Sequence, residues 1–253
     1  MNKFIIINAD DLGYNNTINE RIFSYMGEGK VTSASIIPNG PSLDEVFQNI
    51  NKYNICSFGV HLNITEFSPL TACTSLNKIL DCNGNFSGLE TIKNAVIDRD
   101  LKNGIFKEFS LQIEKIKNKY GDVSHIDSHQ HIHTQPKLFF IIKDIQKKYN
   151  IKNVRISRNI YPLDYKVSKI LMCKKLIYNF MLRHYDSSNT VDGFCSFIDY
   201  YSNYVNGIDI RQKTIEIMIH PGSINYKSED DLFYSEWDLL FGSKVKLINY
   251  NQI

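Results

Sequence analysis

The stretch His125-Ile-Asp-Ser-His-Gln-His-Ile-His-Thr-Gln-Pro-Lys-Leu-Phe-Phe140 carries four of the chain's seven histidines, at 125, 129, 131 and 133, with Asp127 among them. Written as a strand, all five side chains fall on odd positions and share a face, because strand side chains alternate with a period of two. Written as a helix, His125, His129 and His133 also align at i, i+4 and i+8, so spacing alone leaves both conformations open. The flanks decide. Pro136 has no N–H for a ladder but suits the first turn of a helix, and the apolar spacing that follows it reads as a helix over 136–149. Upstream, Gly121-Asp122 reads as the turn that ends a lysine-rich helix. His125 to His129 are therefore expected on a short strand, with His131 and His133 in the loop that leaves it. In parallel α/β folds the loops at the carboxyl ends of strands carry the chemistry.

The same strand-then-helix unit recurs along the chain. Strands are expected at 3–8, 31–37, 57–64, 123–129, 154–157, 193–197, 214–219 and 245–250, and helices at 17–26, 42–53, 101–120, 136–149 and 165–185. Such alternation implies a mainly parallel sheet, and seven to eight strands in 253 residues suit a distorted β/α barrel, with an open doubly wound sheet as the runner-up. No linker rich in Pro, Gly or Ser interrupts the pattern, so residues 1–253 read as one domain. The segment 68–88 is long for a connection and weakly periodic, and is expected to lie over the site as part of the substrate pocket.

Composition excludes several function classes. The 29 basic and 27 acidic residues are well mixed and give a net charge of +2, without the basic footprint of a nucleic-acid binder. The five cysteines are odd in number and form no CxxC pair, which suggests neither a disulfide framework nor a thiolate zinc site and fits a reducing cytoplasm. No segment approaches the eighteen apolar residues of a membrane span, and Phe4-Ile-Ile-Ile7 is too short for a signal-peptide core.

Other strand ends supply partners for the histidine cluster. The first ends in Asn8-Ala-Asp10-Asp11-Leu-Gly13, the third carries Gly59-Val-His61-Leu-Asn63, and the seventh ends in His220-Pro221-Gly222. Each alone has an ordinary explanation: paired aspartates cap helices, and a histidine between Val60 and Leu62 suits a core. Together they place a histidine or carboxylate at equivalent ends of four strands, which a barrel brings to one face. His184, in a basic helix tail, is left out of this set. Imidazoles with one carboxylate make an open divalent-cation site. A second carboxylate beside it can accept a proton from water, and a histidine opposite can protonate a leaving group, roles that Asp10-Asp11 and His220 can fill. The composite describes cation-assisted hydrolysis of an amide or ester. A sugar isomerase or phosphoesterase on a similar barrel would need further carboxylates, and a non-catalytic sugar binder would have no use for Asp10, Asp11 and His220 together.

These motifs, with Val31-Thr-Ser-Ala-Ser35, Asn39-Gly40, Pro69-Leu-Thr71, Arg155-Ile-Ser-Arg158 and Glu236-Trp-Asp-Leu-Leu240, resemble in their order the YdjC-like carbohydrate deacetylases, which include chitooligosaccharide deacetylases. The resemblance covers nearly the whole chain. It implies removal of an N-acetyl group from an amino sugar with one divalent cation, Mg2+ or Zn2+. It makes Asp11, His61 and His129 the metal ligands, Asp10 the base and His220 the acid, with His125 a neighbour; the residues alone leave His125 and His129 equally attractive. Leu12 and Ser157 depart from the family's usual aromatic and proline, which bears on the pocket more than on the metal. Arg155, His131 and His133 are the expected substrate contacts, and Arg155 with Arg158 could grip an acidic sugar. An N-acetylated sugar is the expected partner, and a homodimer is compatible with the chain.

Overall fold

Alternation along β1 (Lys3–Leu12) sets the layers of the molecule. In the computed structural model, which describes residues 3–241 and 245–253, Ile5, Ile7 and Ala9 enter an aliphatic layer with helix residues such as Ile18, Ile22, Leu43 and Val46. The intervening Ile6, Asn8 and Asp10 take the other face, where Asn8 donates to Ser35 and Asp10 and Ile6 packs with Val154, Phe194 and Met218. Burial on both faces is what a parallel sheet covered by helices requires.

The other strands are β2 (Ser33–Ile36), β3 (Ser57–Leu62), β4 (Ile126–Ser128), β5 (Gly193–Ser196), β6 (Thr214–Ile219) and β7 (Val245–Leu247). They form one seven-stranded sheet in the order β4-β3-β2-β1-β6-β5, with β7 also on β1, and every ladder is parallel. The sheet curls, and residues 152–160 bridge its two edges. Val154 pairs with Ile126 and Asn153 with Asn189, while Asn159 N–H donates to Phe194 O at 3.2 Å. The expected strand at 154–157 is thus reduced to isolated bridges. Asn179 explains why: its side chain takes both Ser157 N–H (2.9 Å) and Ser157 O (3.0 Å), which stops the ladder there.

Helices α1 (Asn16–Gly27), α2 (Leu43–Asn49), α3 (Leu89–Asn94), α4 (Arg99–Tyr120), α5 (Phe139–Tyr149), α6 (Lys169–His184), α7 (Phe197–Val205) and α8 (Lys227–Phe241) cover the sheet. The expected 101–120 helix is α4, begun by Asp98, whose carboxylate accepts from Leu101 N–H at 2.9 Å. The expected 165–185 helix starts later, at the Ser168 cap of α6. Among the described residues no helix is long and apolar enough to cross a membrane.

Candidate metal centre and active site

The inward residues form a polar column. At its base Tyr250 stacks on His125 with ring centroids 3.7 Å apart. A Cβ at residue 59 would stand 2.3 Å from the His125 ring, so only glycine admits it. His125 is completely buried and pushed down to about 3 by that burial. It is a packing group beneath the site, because β4 is only three residues long and begins after it.

Above it Arg155, 0% exposed, organises three carboxylates. Its Nη1 and Nη2 donate to both oxygens of Asp10 at 2.7 Å, Nε donates to Glu216 Oε1 at 2.8 Å, and Nη1 lies 2.8 Å from Asp127 Oδ2. Burial alone would raise Asp10 and Asp127, but Arg155 above all, then His61, turns both below the usual carboxylate range. Arg155 therefore has no donor to spare for a sugar, and the expected substrate contact is corrected to a charge anchor under Asp10. His133 is corrected in the same way: it is 0% exposed and held between Ser128 Oγ and Arg155 O (3.1 Å). Arg158 pairs with Asp199 at 2.6 Å and sits 4.4 Å from the Tyr161 ring, outside the cavity.

The upper layer is open. Strand alternation would send Asp11 to the face opposite Asp10, but the register shifts between Ala9 and Leu12 and Asp11 adopts φ 70°. This bulge swings its carboxylate to the same side as Asp10. Asp11 Oδ1 lies 2.8 Å from His129 Nδ1 and 3.3 Å from His61 Nε2. Asp127 Oδ1 fixes the far side of His61, 2.7 Å from Nδ1. His129 leaves β4 into a 3-10 turn whose Gln130 and His131 have φ 51° and 55°. The odd-numbered row of the sequence is thereby split among three environments. His131 is half-buried on the cavity wall, kept neutral by burial (about 3), with Nδ1 unpartnered.

A cavity of about 520 Å³ opens over this layer, lined by Asp10, Asp11, His61, His129, His131 and His220 among others. His220 faces Asp10 and Asp11 from the end of β6 and stacks on Tyr226 at 4.0 Å. Burial opposes its protonation, but Glu229, 3.5 Å from Nδ1, with Asp11 and Asp10, holds it above the ordinary imidazole value. Tyr14 and Glu66 complete the rim. Sequence reasoning missed Glu66, Glu229 and Tyr226; Glu66 had one signal, its place just past the His61 strand. No residue of 68–88 lines the cavity. That segment is drawn to α4, where Glu108 accepts Leu70 N–H (3.0 Å) and Thr71 N–H (2.9 Å), so the expected cover over the site is corrected to a side flap.

Among the described residues two groups have metal-ligand spacing, Asp11/His61/His129 and Asp10/His61/Asp127. In the second, both carboxylates are bound by Arg155, which leaves the first as the open set. Its chemistry fits a divalent cation. Burial pushes both imidazoles down, yet Asp127 and Asp10 lift His61 to about 10, and Asp11 and Glu66 lift His129 to about 9. Two such protons bring the same charge as one divalent ion, and an ion would release them. Two imidazoles and a carboxylate leave further positions for water and substrate.

A family model described as YdjC-like protein matches residues 4–247. The carbohydrate deacetylase of Thermoanaerobacter pseudethanolicus is 27% identical over 223 residues, 88% of this chain and 82% of that protein. The carbohydrate deacetylase of Geobacillus stearothermophilus is 26% identical over 225 residues, 89% and 82% of the two chains. A crystal structure of a candidate cellobiose-phosphate cleavage protein from Enterococcus faecalis V583 shares the fold, with TM-score 0.76, 21% identity, and coverage of 100% of this chain and 99% of that one.

Proposed function

The chain belongs to the YdjC-like protein family, and from that premise we propose that it is a hydrolase that uses a divalent cation to remove an N-acetyl group from an amino sugar or short oligosaccharide. The observation that carries this is the convergence of Asp11, His61 and His129 on one spot, with Asp10 and His220 beside it in one cavity. Relatives named carbohydrate deacetylase support the choice of bond. A two-cation isomerase or phosphoesterase is disfavoured because Asp10 and Asp127 are committed to Arg155.

The roles follow from the environments. Asp11, His61 and His129 would hold the cation, which supplies polarisation of the acetyl carbonyl and a lowered water pKa. Asp10, kept ionised by Arg155, accepts the proton of the attacking water. Its oxygens each retain lone-pair capacity beyond the arginine bonds. His220, its pKa raised by the nearby Glu229 carboxylate, gives its proton to the sugar nitrogen as the carbon–nitrogen bond breaks, and acetate and a free amine result. His131 is the remaining candidate to touch the substrate from the wall. Imidazole ligands favour Zn2+ or another transition metal, whereas Mg2+ prefers oxygen; metal analysis of protein purified without added metal chooses between them. Acetate release from N-acetylglucosamine oligomers, with and without a chelator, tests the activity. Absence of acetate over a broad panel of acetylated sugars, with hydrolysis of a phosphate ester, overturns it.

A further inference from the structure

Each imidazole of the proposed cation set has a carboxylate behind it, and the two are built differently. Asp127 backs His61 from within the buried column. Glu66 stands behind His129 at the cavity rim, its Oε1 3.3 Å from Nε2 as a charge contact rather than an aligned hydrogen bond, on the side away from Asp11, which meets Nδ1. The same oxygen accepts from Gln130 Nε2 at 3.1 Å. We infer that Glu66 is a positioning residue: it ties the turn of His129 and Gln130 to the loop after β3 and fixes the ring with Nδ1 toward the cation. This rests on the cation site proposed above.

The loop is constructed to hold that carboxylate. Asn63 Oδ1 accepts Glu66 N–H at 3.1 Å, while Asn63 Nδ2 and Asn39 Nδ2 donate to Glu66 O at 2.8 and 3.1 Å. Asn63 is itself gripped by Gln112 through both backbone groups, at 2.9 and 2.6 Å. Phe67, next in the chain, takes φ 63° and turns the backbone away. His129 needs such support more than His61 does, because it has left the ladder for a turn with two left-handed residues. A carboxylate on the distal nitrogen of a ligating histidine sets the tautomer and ring orientation.

The test uses the full chain freed of metal and titrated with Co2+, followed by visible absorption, beside acetate release. Glu66→Ala is expected to weaken Co2+ binding roughly 10- to 100-fold and to change the ligand-field bands. Glu66→Gln, which keeps shape but loses charge, should fall between. Turnover lost in Glu66→Ala should return in part at high Co2+, with KM nearly unchanged. Wild-type affinity and bands in both variants, or a raised KM with unchanged affinity, would overturn the inference and make Glu66 a sugar contact. Wild-type protein that binds no Co2+ would instead sink the cation reading itself, and this inference with it.

Discussion

Replacing Arg155 by methionine removes the guanidinium that binds a sealed group of three carboxylates. The side chain is 0% exposed, as are Asp127 and Glu216, and Asp10 is 2% exposed. An exposed ion pair is worth about 0–1 kcal/mol, but stripping one partner from a buried, hydrogen-bonded group costs about 3–5 kcal/mol, since the orphaned charges stay in low dielectric. With a urea m-value of about 3 kcal/mol/M, the unfolding midpoint of metal-free Arg155→Met should drop by about 1–1.7 M. The pH dependence follows from the direction of the shifts. In the wild type Asp10 and Asp127 lie below their unfolded values, chiefly through Arg155 acting against burial; their stabilisation is present above the unfolded carboxylate pKa and lost only as pH falls through the folded one. Without Arg155, burial prevails and lifts both. The penalty is then fully present at neutral pH and relieved as the carboxyls take up protons. Urea melts at pH 7.5 and pH 5 should therefore show the gap between variant and wild type narrowing at pH 5. A loss under about 1 kcal/mol, or a gap that widens at pH 5, would refute the reading of Arg155 as a charge anchor.

Three further outcomes are expected. Asp11→Asn should weaken cation binding and be partly rescued by added metal, whereas Asp10→Asn should keep the cation and lose turnover by roughly a hundredfold to ten-thousandfold; paired metal titrations and acetate assays separate them, and rescue of Asp10→Asn would reverse the roles. Glu229→Gln removes a carboxylate that raises the pKa of His220, so the alkaline limb of kcat/KM, where the acid is lost as pH rises through its pKa, should move to lower pH; an unmoved limb argues against His220 as the acid. Replacing the exposed turn at residues 81–85 with a short glycine turn should leave KM within about twofold for several sugars, as expected of a surface change remote from the cavity; a larger shift would return the 68–88 segment to the pocket.

The fold was legible because the period-two pattern of β1, β3 and β6 is strict. Ile5, Ile7 and Ala9, Phe58, Val60 and Leu62, and Ile215, Ile217 and Ile219 all pack outward, and the residues between them fall inward without exception along these stretches. The same parity places His61, Asp127, Arg155 and Glu216 in one column. What the sequence concealed is depth along that column. Arg155 looks like a strand-end arginine free to grip an anion, and only the closure of residues 152–160 against β4 shows it capped above by Asp10. His125 and His129 look equivalent at four residues' separation, yet β4 starts after one and ends before the other. Glu66 and Glu229 act across loops and helices that no periodicity links to their partners.

At the adjacent aspartates a break in regularity permits the proposed division of labour. In an unbroken strand one of two neighbours must turn away from the site, so Asp10 and Asp11 can serve together only if the backbone departs from the ladder between them. It does so at Asp11, with φ 70° and the register shift before Leu12. Left-handed backbone at a residue other than glycine costs of order 1–3 kcal/mol and persists where surroundings enforce it. Here Tyr14 N–H closes onto Asp11 O at 3.0 Å and Gly13 N–H is taken by Asn19 Oδ1 at 2.7 Å. Asparagine tolerates the left-handed region as well as aspartate does. Asp11→Asn thus changes the charge offered to the cation while leaving the bulge that presents it, so a loss of metal in that variant reports the ligand and not a collapsed turn.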